Sequence, residues 1–308
     1  YTAILSRYSS SNNPIVIDKF LGQIKILSML SCPLFPNFFG YSTKINDNYI
    51  NTIIITEYIP NGTLDHIISM DPKDYGESKW TDTKKLINIY GIAFGMSYLH
   101  SLNIIHRDIT TKSVLLDEHL YPKIINFASA LDLSDKIKAS SNFTFSEEKN
   151  QISNLNDDEN SKMSDIEEEE KGERKFNDDK SNTKKEKNID DDEKNFDYEK
   201  FFGDVEIIHV DDSIESFVGT PSYRAPEIWE NMKYSKSSDV FAFSIVVYEI
   251  LTSQFPYRFK GTHQLAKYVV EGGRPDINSN EIPDCFIDLM RKCWDSDPEK
   301  RPTFDEIV

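Results

Sequence analysis

Between residues 104 and 130 the chain reads IIHRDITTKSVLLDEHLYPKIINFASA. His106-Arg107-Asp108 sets a carboxylate that can take a proton from a hydroxyl directly beside a cation. A carboxylate so placed could serve as a general base toward an alcohol. Several of the polar groups that follow are neutral. Thr110, Ser113 and Asn126 offer two hydroxyls and an amide, and a neutral amide oxygen is a much weaker ligand for a hard divalent cation than a carboxylate.

The elements that must position these groups show in the hydrophobic pattern. Phe20, Ile24, Leu27 and Leu30 recur at helical spacing up to the Cys32-Pro33 break. NTIIITEYIPNG then predicts a buried strand over Ile53 to Thr56, leaving into a turn at Pro60-Asn61-Gly62. A long helix is predicted from Thr81, with Leu86, Ile89, Ala93, Met96 and Leu99 on its apolar face. A short strand pair, Val114 to Leu116 and Lys123 to Ile125, flanks the turn DEHLYP, and later segments are mainly helical.

The 308 residues, 38% of them hydrophobic, suffice for one large or two modest domains with a sizeable core. Thirty-five basic against 52 acidic residues leave a net charge of -17, which argues against nucleic acid or an anionic membrane surface as partner. Residues 141–216 hold 25 acidic and 11 basic residues, a balance of -14, so nearly all the excess lies in one segment. Such a stretch cannot bury enough apolar surface to offset its ordering entropy and is expected to be disordered. Cys32, Cys285 and Cys293 make an odd count without metal-ligand spacing, and are expected to be buried thiols in a reducing cytoplasm. His66 and His263 show no ligand spacing either, and no apolar run reaches the roughly 20 residues of a membrane span.

In order, HRDITTKSVLL, NFA, GTPSYRAPE and DPEKRP resemble the catalytic loop, metal-binding DFG, substrate loop with its APE anchor, and closing region of a eukaryotic protein kinase domain of the tyrosine-kinase-like group. The resemblance covers nearly everything outside the acidic segment. It implies an α+β, bilobal, protein-kinase-like fold: an incomplete β-rich N-lobe over 1–58, and a larger, mainly helical C-lobe over 59–140 and 217–308. The disordered acidic insertion, 141–216, then falls in the activation segment. The chain opens at Tyr1, past the place of the family's glycine-rich loop, so an N-terminal truncation is expected, and the closing helix is expected to run beyond Val308.

By the same resemblance, the strand lysine that grips ATP falls on Ile4 and its helix glutamate on Gln23. The two magnesium positions fall on Ser113 and Asn126, while Thr110 replaces a lysine and Ala128 a glycine. Asp108 keeps the place of the catalytic base, and Arg107 that of the residue that receives an activation-loop phosphate in active kinases. Thr56, with Glu57 and Tyr58 opening the hinge and Leu115 as floor, outlines an adenine pocket. ATP binding without metal therefore stays open, and magnesium is not expected. The architectural residues survive: His106, Phe127 and Leu27 in a hydrophobic spine, Asp239 bracing the catalytic loop, and Glu227 paired with Arg301.

Together these imply a pseudokinase, catalytically impaired and acting as scaffold or allosteric partner for signalling proteins or other kinases. The alternative is an active but weak Ser/Thr kinase, the specificity suggested by Gly219-Thr220. The acidic segment is expected to be a tolerated surface insertion or a regulatory arm, in which Ser146 and Ser164 precede glutamate clusters.

Overall fold

The computed structural model describes residues 3–10, 14–46, 49–70, 80–134, 218–258, 261–277 and 282–308. The chain divides into two units, residues 1–137 with 207–308, and residues 138–206. The second unit, Ser146, Ser164 and the acidic segment up to 216 lie outside the described residues.

The leading part is a three-stranded antiparallel sheet in the order β1-β3-β2, built from β1 (Ala3–Ser10), β2 (Phe38–Asn46) and β3 (Tyr49–Glu57). Its register sets Ile4 opposite Thr56 on one side of β3 and Phe38 opposite Thr56 on the other. Only Ile54 of the predicted buried run is buried; Ile53, Ile55 and Thr56 are half-buried. Between β1 and β2 runs α1 (Pro14–Met29), with proline at its start, where the missing N–H costs nothing. It buries Phe20, Ile24, Ile26 and Leu27.

The remainder is mainly helical. Helix α2 (Leu64–Ser69) leads to α3 (Asp82–Ser101), whose N-cap Thr81 accepts from the Lys84 N–H. Two short ribbons come next, β4 (Ile104–Ile105) with β7 (Leu131–Asp132) and β5 (Val114–Leu116) with β6 (Pro122–Ile124). The later helices are α4 (Pro226–Asn231), α5 (Lys236–Thr252), α6 (Thr262–Val270), α7 (Asp284–Cys293) and α8 (Phe304–Ile307). Every residue of α5 from Ser238 to Ile250 is buried, so this helix is the axis of the core.

Helix α3 corrects one expectation. Ile89, Ala93, Met96 and Leu99 are buried as predicted, but Leu86 is 47% exposed. The buried face is shared with Asn88, Ile92 and His100, which rotates the stripe away from Leu86. A second face is set by glycine: a Cβ on Gly91 or Gly95 would lie 2.6 Å from Pro122 Cγ or 2.7 Å from Ile124 Cδ1, so β6 can lie directly on the helix. The cysteines also differ from expectation, since Cys293 is buried but Cys32 is half-buried and Cys285 exposed. Burial pushes the Cys293 thiol up to about 12, the behaviour of a small core residue.

Candidate functional site

The catalytic-loop residues are placed from below by one carboxylate. Asp239, 1% exposed in the first turn of α5, accepts the His106 N–H at 2.8 Å, the Arg107 N–H at 2.9 Å and His100 Nε2 at 2.9 Å. Burial alone would raise its pKa, but the His100 hydrogen bond and the charges and N–H groups around it outweigh burial and hold it below the usual carboxylate range. This grip carries Arg107 through a left-handed backbone, φ 66, which a non-glycine residue keeps only when its surroundings enforce it.

His106 is buried, and its Nε2 donates to the Ile125 carbonyl at 2.9 Å, so Nδ1 is left to accept the Asp108 N–H at 3.3 Å. Burial pushes this imidazole below its ordinary pKa, against the pull of Asp239 and Asp108. Its ring meets Phe127 edge-on at 5.3 Å, and Phe127 meets Phe35 at 5.8 Å. Helix α1, with buried Leu27, packs on the turn 127–129. Phe35 joins this stack from the loop after α1, and nothing in its Pro-flanked sequence signals it.

Asp108 lies in a closed polar set. Oδ1 accepts the Thr220 N–H at 2.8 Å and the Thr220 hydroxyl at 2.9 Å, while Oδ2 accepts Asn126 Nδ2 at 3.2 Å. Gly219 makes this approach possible: its φ is +87, and a Cβ there would collide with the Arg107 carbonyl oxygen. The same segment is held from outside by Arg224, which donates to the Gly219 carbonyl at 2.5 Å, and by the Tyr234 hydroxyl, 2.8 Å from both N and O of Val218. Arg107 Nε donates to the Ser129 carbonyl, and its guanidinium lies 5.3 Å from the Tyr234 ring centre. Burial lowers the pKa of both Arg107 and Arg224.

The other predicted positions are spread over both lobes. Ser113 Oγ donates to the Thr110 carbonyl at 2.9 Å and accepts the Thr110 N–H at 2.7 Å, closing a capping box over the turn Thr111–Ser113. Asn126 has left-handed backbone, φ 69. Ile4 sits in β1 and Gln23 is buried on α1, and neither side chain carries charge. Thr56 is the penultimate residue of β3, paired with Ile4 and Phe38, and Tyr58 is exposed just beyond the strand. Leu115 is half-buried in β5, bridged through its backbone to Thr63. Glu57 accepts Lys123 Nζ at 3.2 Å, tying the end of β3 to β6. Among the described residues no group of three His, Cys, Asp or Glu could hold a metal ion.

Known protein sequences resemble this chain over most of its length. The sequence profile described as protein tyrosine and serine/threonine kinase matches residues 4–166 and 213–308. This chain belongs to that kinase family. Among its relatives, a putative serine/threonine-protein kinase/receptor, R831, of Acanthamoeba polyphaga mimivirus is 28% identical over 94% of this chain and 13% of its own length. The dual specificity protein kinase pyk3 of Dictyostelium discoideum is 26% identical over 99% of this chain and 16% of its own, and the probable serine/threonine-protein kinase drkC of the same organism 26% over 95% and 28%. The chain therefore spans less than a third of the length of these relatives.

Two features of this kinase domain escape sequence reasoning. Lys25 of α1 forms an ion pair with Asp132 of β7 at 2.9 Å, linking the helix to the strand after the 127–129 turn. Burial works against ionisation of Asp132, but hydrogen bonds from Lys25 and Ser134 hold its pKa down. A buried polar knot joins the catalytic loop to α5: Glu249 accepts Thr111 Oγ1 at 2.9 Å and the Tyr223 hydroxyl at 2.5 Å. Burial raises the pKa of both Glu249 and Tyr223. The Glu227–Arg301 pair expected by resemblance is present and bidentate, at 2.7 and 2.8 Å, with the Arg301 side chain fully enclosed. No helix among the described residues is long and apolar enough to cross a membrane.

Proposed function

We propose that this kinase domain has lost phosphoryl transfer and works as a signalling scaffold or allosteric partner. One observation carries the reading: the side chains at the two metal positions are already engaged, Ser113 within its own loop and Asn126 with Asp108 of the preceding one. Ser113 Oγ is occupied at both ends by Thr110. Asn126 turns its amide N–H, a donor, toward Asp108, where a cation would need a second carboxylate oxygen. These residues do not fit magnesium. With Ile4 and Gln23 both uncharged, the domain also lacks the usual grip on ATP phosphates. The Lys25–Asp132 pair supplies an ionic tie for α1 that involves neither ATP nor the β1 strand. Nucleotide binding then reduces to the adenine pocket of Thr56, Tyr58 and Leu115, without metal.

The second reading, a weak Ser/Thr kinase, draws on Asp108 and on its contact with Thr220, together with relatives named as serine/threonine and dual specificity kinases. Incubation with magnesium-ATP separates the two. No phosphate incorporation supports the scaffold; incorporation that disappears in Asp108→Asn overturns it. A thermal titration adds a binding readout, in which a scaffold shows stabilisation by ATP that is absent or independent of magnesium.

A further inference from the structure

Val218, Gly219 and Thr220 run as open chain beside Asp108 and into the turn Pro221–Tyr223, with Thr220 exposed and the other two half-buried. No helix or strand ladder holds them. Apart from the turn bond between the Tyr223 N–H and the Thr220 carbonyl, each is fixed by a side chain from a different place. Val218 is clasped by Tyr234, 16 positions later: its N–H donates to the Tyr234 oxygen and its carbonyl accepts the Tyr234 O–H, both at 2.8 Å. Arg224 grips the Gly219 carbonyl through Nε at 3.1 Å and Nη2 at 2.5 Å. Thr220 gives Asp108 Oδ1 both its N–H and its hydroxyl. A segment with little burial and no ladder opens at low cost, so these anchors decide how often it does.

Tyr234 is the anchor with the firmest footing. It stands between the left-handed residue that ends α4, Met232, and the N-cap Ser235, whose capping box fixes the start of α5. Its ring faces the Arg107 guanidinium at 5.3 Å, next to Asp108 in the chain. The strap and the loop that carries Asp108 are therefore joined twice, through Tyr234 to Arg107 and through Thr220 to Asp108. Between the two joints lies only Gly219, set directly against the Arg107 carbonyl oxygen, so the strap has little room to shift at one joint without the other.

We infer that Tyr234 is a positioning residue for Asp108. By clasping Val218 it holds Thr220 on Oδ1, and Asn126 holds Oδ2. An alcohol or any other donor that comes to Asp108 competes with these two side chains, and Tyr234 sets how firmly the first of them stays. The inference goes beyond the reading of the domain as a scaffold and does not depend on it, because the strap is measured with no nucleotide present.

Amide hydrogen exchange of the whole chain, wild type against Tyr234→Phe, is the test. The phenylalanine keeps the ring against Arg107 and removes one oxygen. Exchange at Val218 and Thr220 should become about tenfold faster, the value of one or two neutral hydrogen bonds. Ile245, buried in the middle of α5, should keep its rate within about twofold. Thr220 is decisive, since its N–H donates to Asp108 and not to Tyr234. Acceleration at Val218 with Thr220 unchanged confines Tyr234 to a local bond and overturns the inference. Equal acceleration at Thr220 and Ile245 also overturns it, by making Tyr234 a general stabiliser. Thr220→Val reads the same coupling from the other end and leaves Tyr234 intact: exchange at Val218 should speed up several-fold, and an unchanged rate there refutes the link.

Discussion

Replacing Asn126 by aspartate tests whether the metal positions have been closed. Asn126 Nδ2 now donates to Asp108 Oδ2 at 3.2 Å. The substitution removes a hydrogen bond to a charged acceptor, worth about 1.5–3 kcal/mol. It also brings two carboxylates to that 3.2 Å separation, a repulsion of about 5 kcal/mol at an effective dielectric of about 20. Both residues are half-buried, so solvent, a rotated side chain or uptake of a proton relieves most of this. The backbone cost is small, because aspartate tolerates left-handed φ nearly as well as asparagine. The net expectation is a loss of about 1–3 kcal/mol, or about 2–12 °C in the unfolding midpoint of a domain this size. Magnesium should return it: at 100 times its dissociation constant a bound ion adds about 2.7 kcal/mol. Differential scanning calorimetry of wild type and Asn126→Asp, in magnesium chloride and in sodium chloride of equal ionic strength, measures both effects. A variant as stable as wild type without metal would falsify the energetic reasoning. A wild type that gains as much from magnesium as the variant would show that Ser113 and Asn126 do hold the cation.

Arg301→Ala should be the most damaging of the architectural changes, costing about 3–5 kcal/mol by leaving the buried Glu227 carboxylate alone; denaturant midpoints check it, and the paired change Glu227→Leu with Arg301→Leu should be milder than either single one. Gly219→Ala should destabilise the segment over Asp108 by more than about 1 kcal/mol, since it combines left-handed strain with a Cβ driven into the Arg107 carbonyl oxygen; faster hydrogen exchange at Thr220 is the local readout. Asp239 has a folded pKa below its unfolded value, which is about 3.9, so its contribution is complete above that value and is lost as pH falls through the folded pKa. Asp239→Asn should therefore lower stability at neutral pH and flatten the acid limb of the stability curve, both measurable by urea unfolding across pH. Lys25→Ala should cost only about 0.2–1 kcal/mol because the lysine is 45% exposed, and that loss should shrink at high salt.

The residues of the site are legible in the sequence to the extent that chemistry is a matter of residue type. Ile4, Gln23, Ser113 and Asn126 carry no charge in any conformation, so the absence of carboxylates and ammonium groups at those positions needs no coordinates. Helices α1 and α3 and the strand pair β5–β6 are readable because periodicity and turn residues are local signals, and even the Thr110–Ser113 cap spans only three residues. Strand β2 escapes, since FFGYSTKIN alternates poorly, and Leu86 falls on the wrong side because helical spacing defines a stripe but not which edge of it faces the core.

What the surviving side chains do is decided only by tertiary structure. Lys25 meets Asp132 across 107 residues of chain, and Thr111 meets Glu249 across 138; no local pattern encodes such partners, because each is selected by how whole elements pack. Asp108 is the clearest instance. The sequence by itself places a carboxylate beside a cation, whereas the fold determines that Thr220 and Asn126 occupy both of its oxygens. Buried and half-buried polar atoms mostly find partners where packing allows, and that tendency draws Asp108, Asn126 and Thr220 into one hydrogen-bonded set.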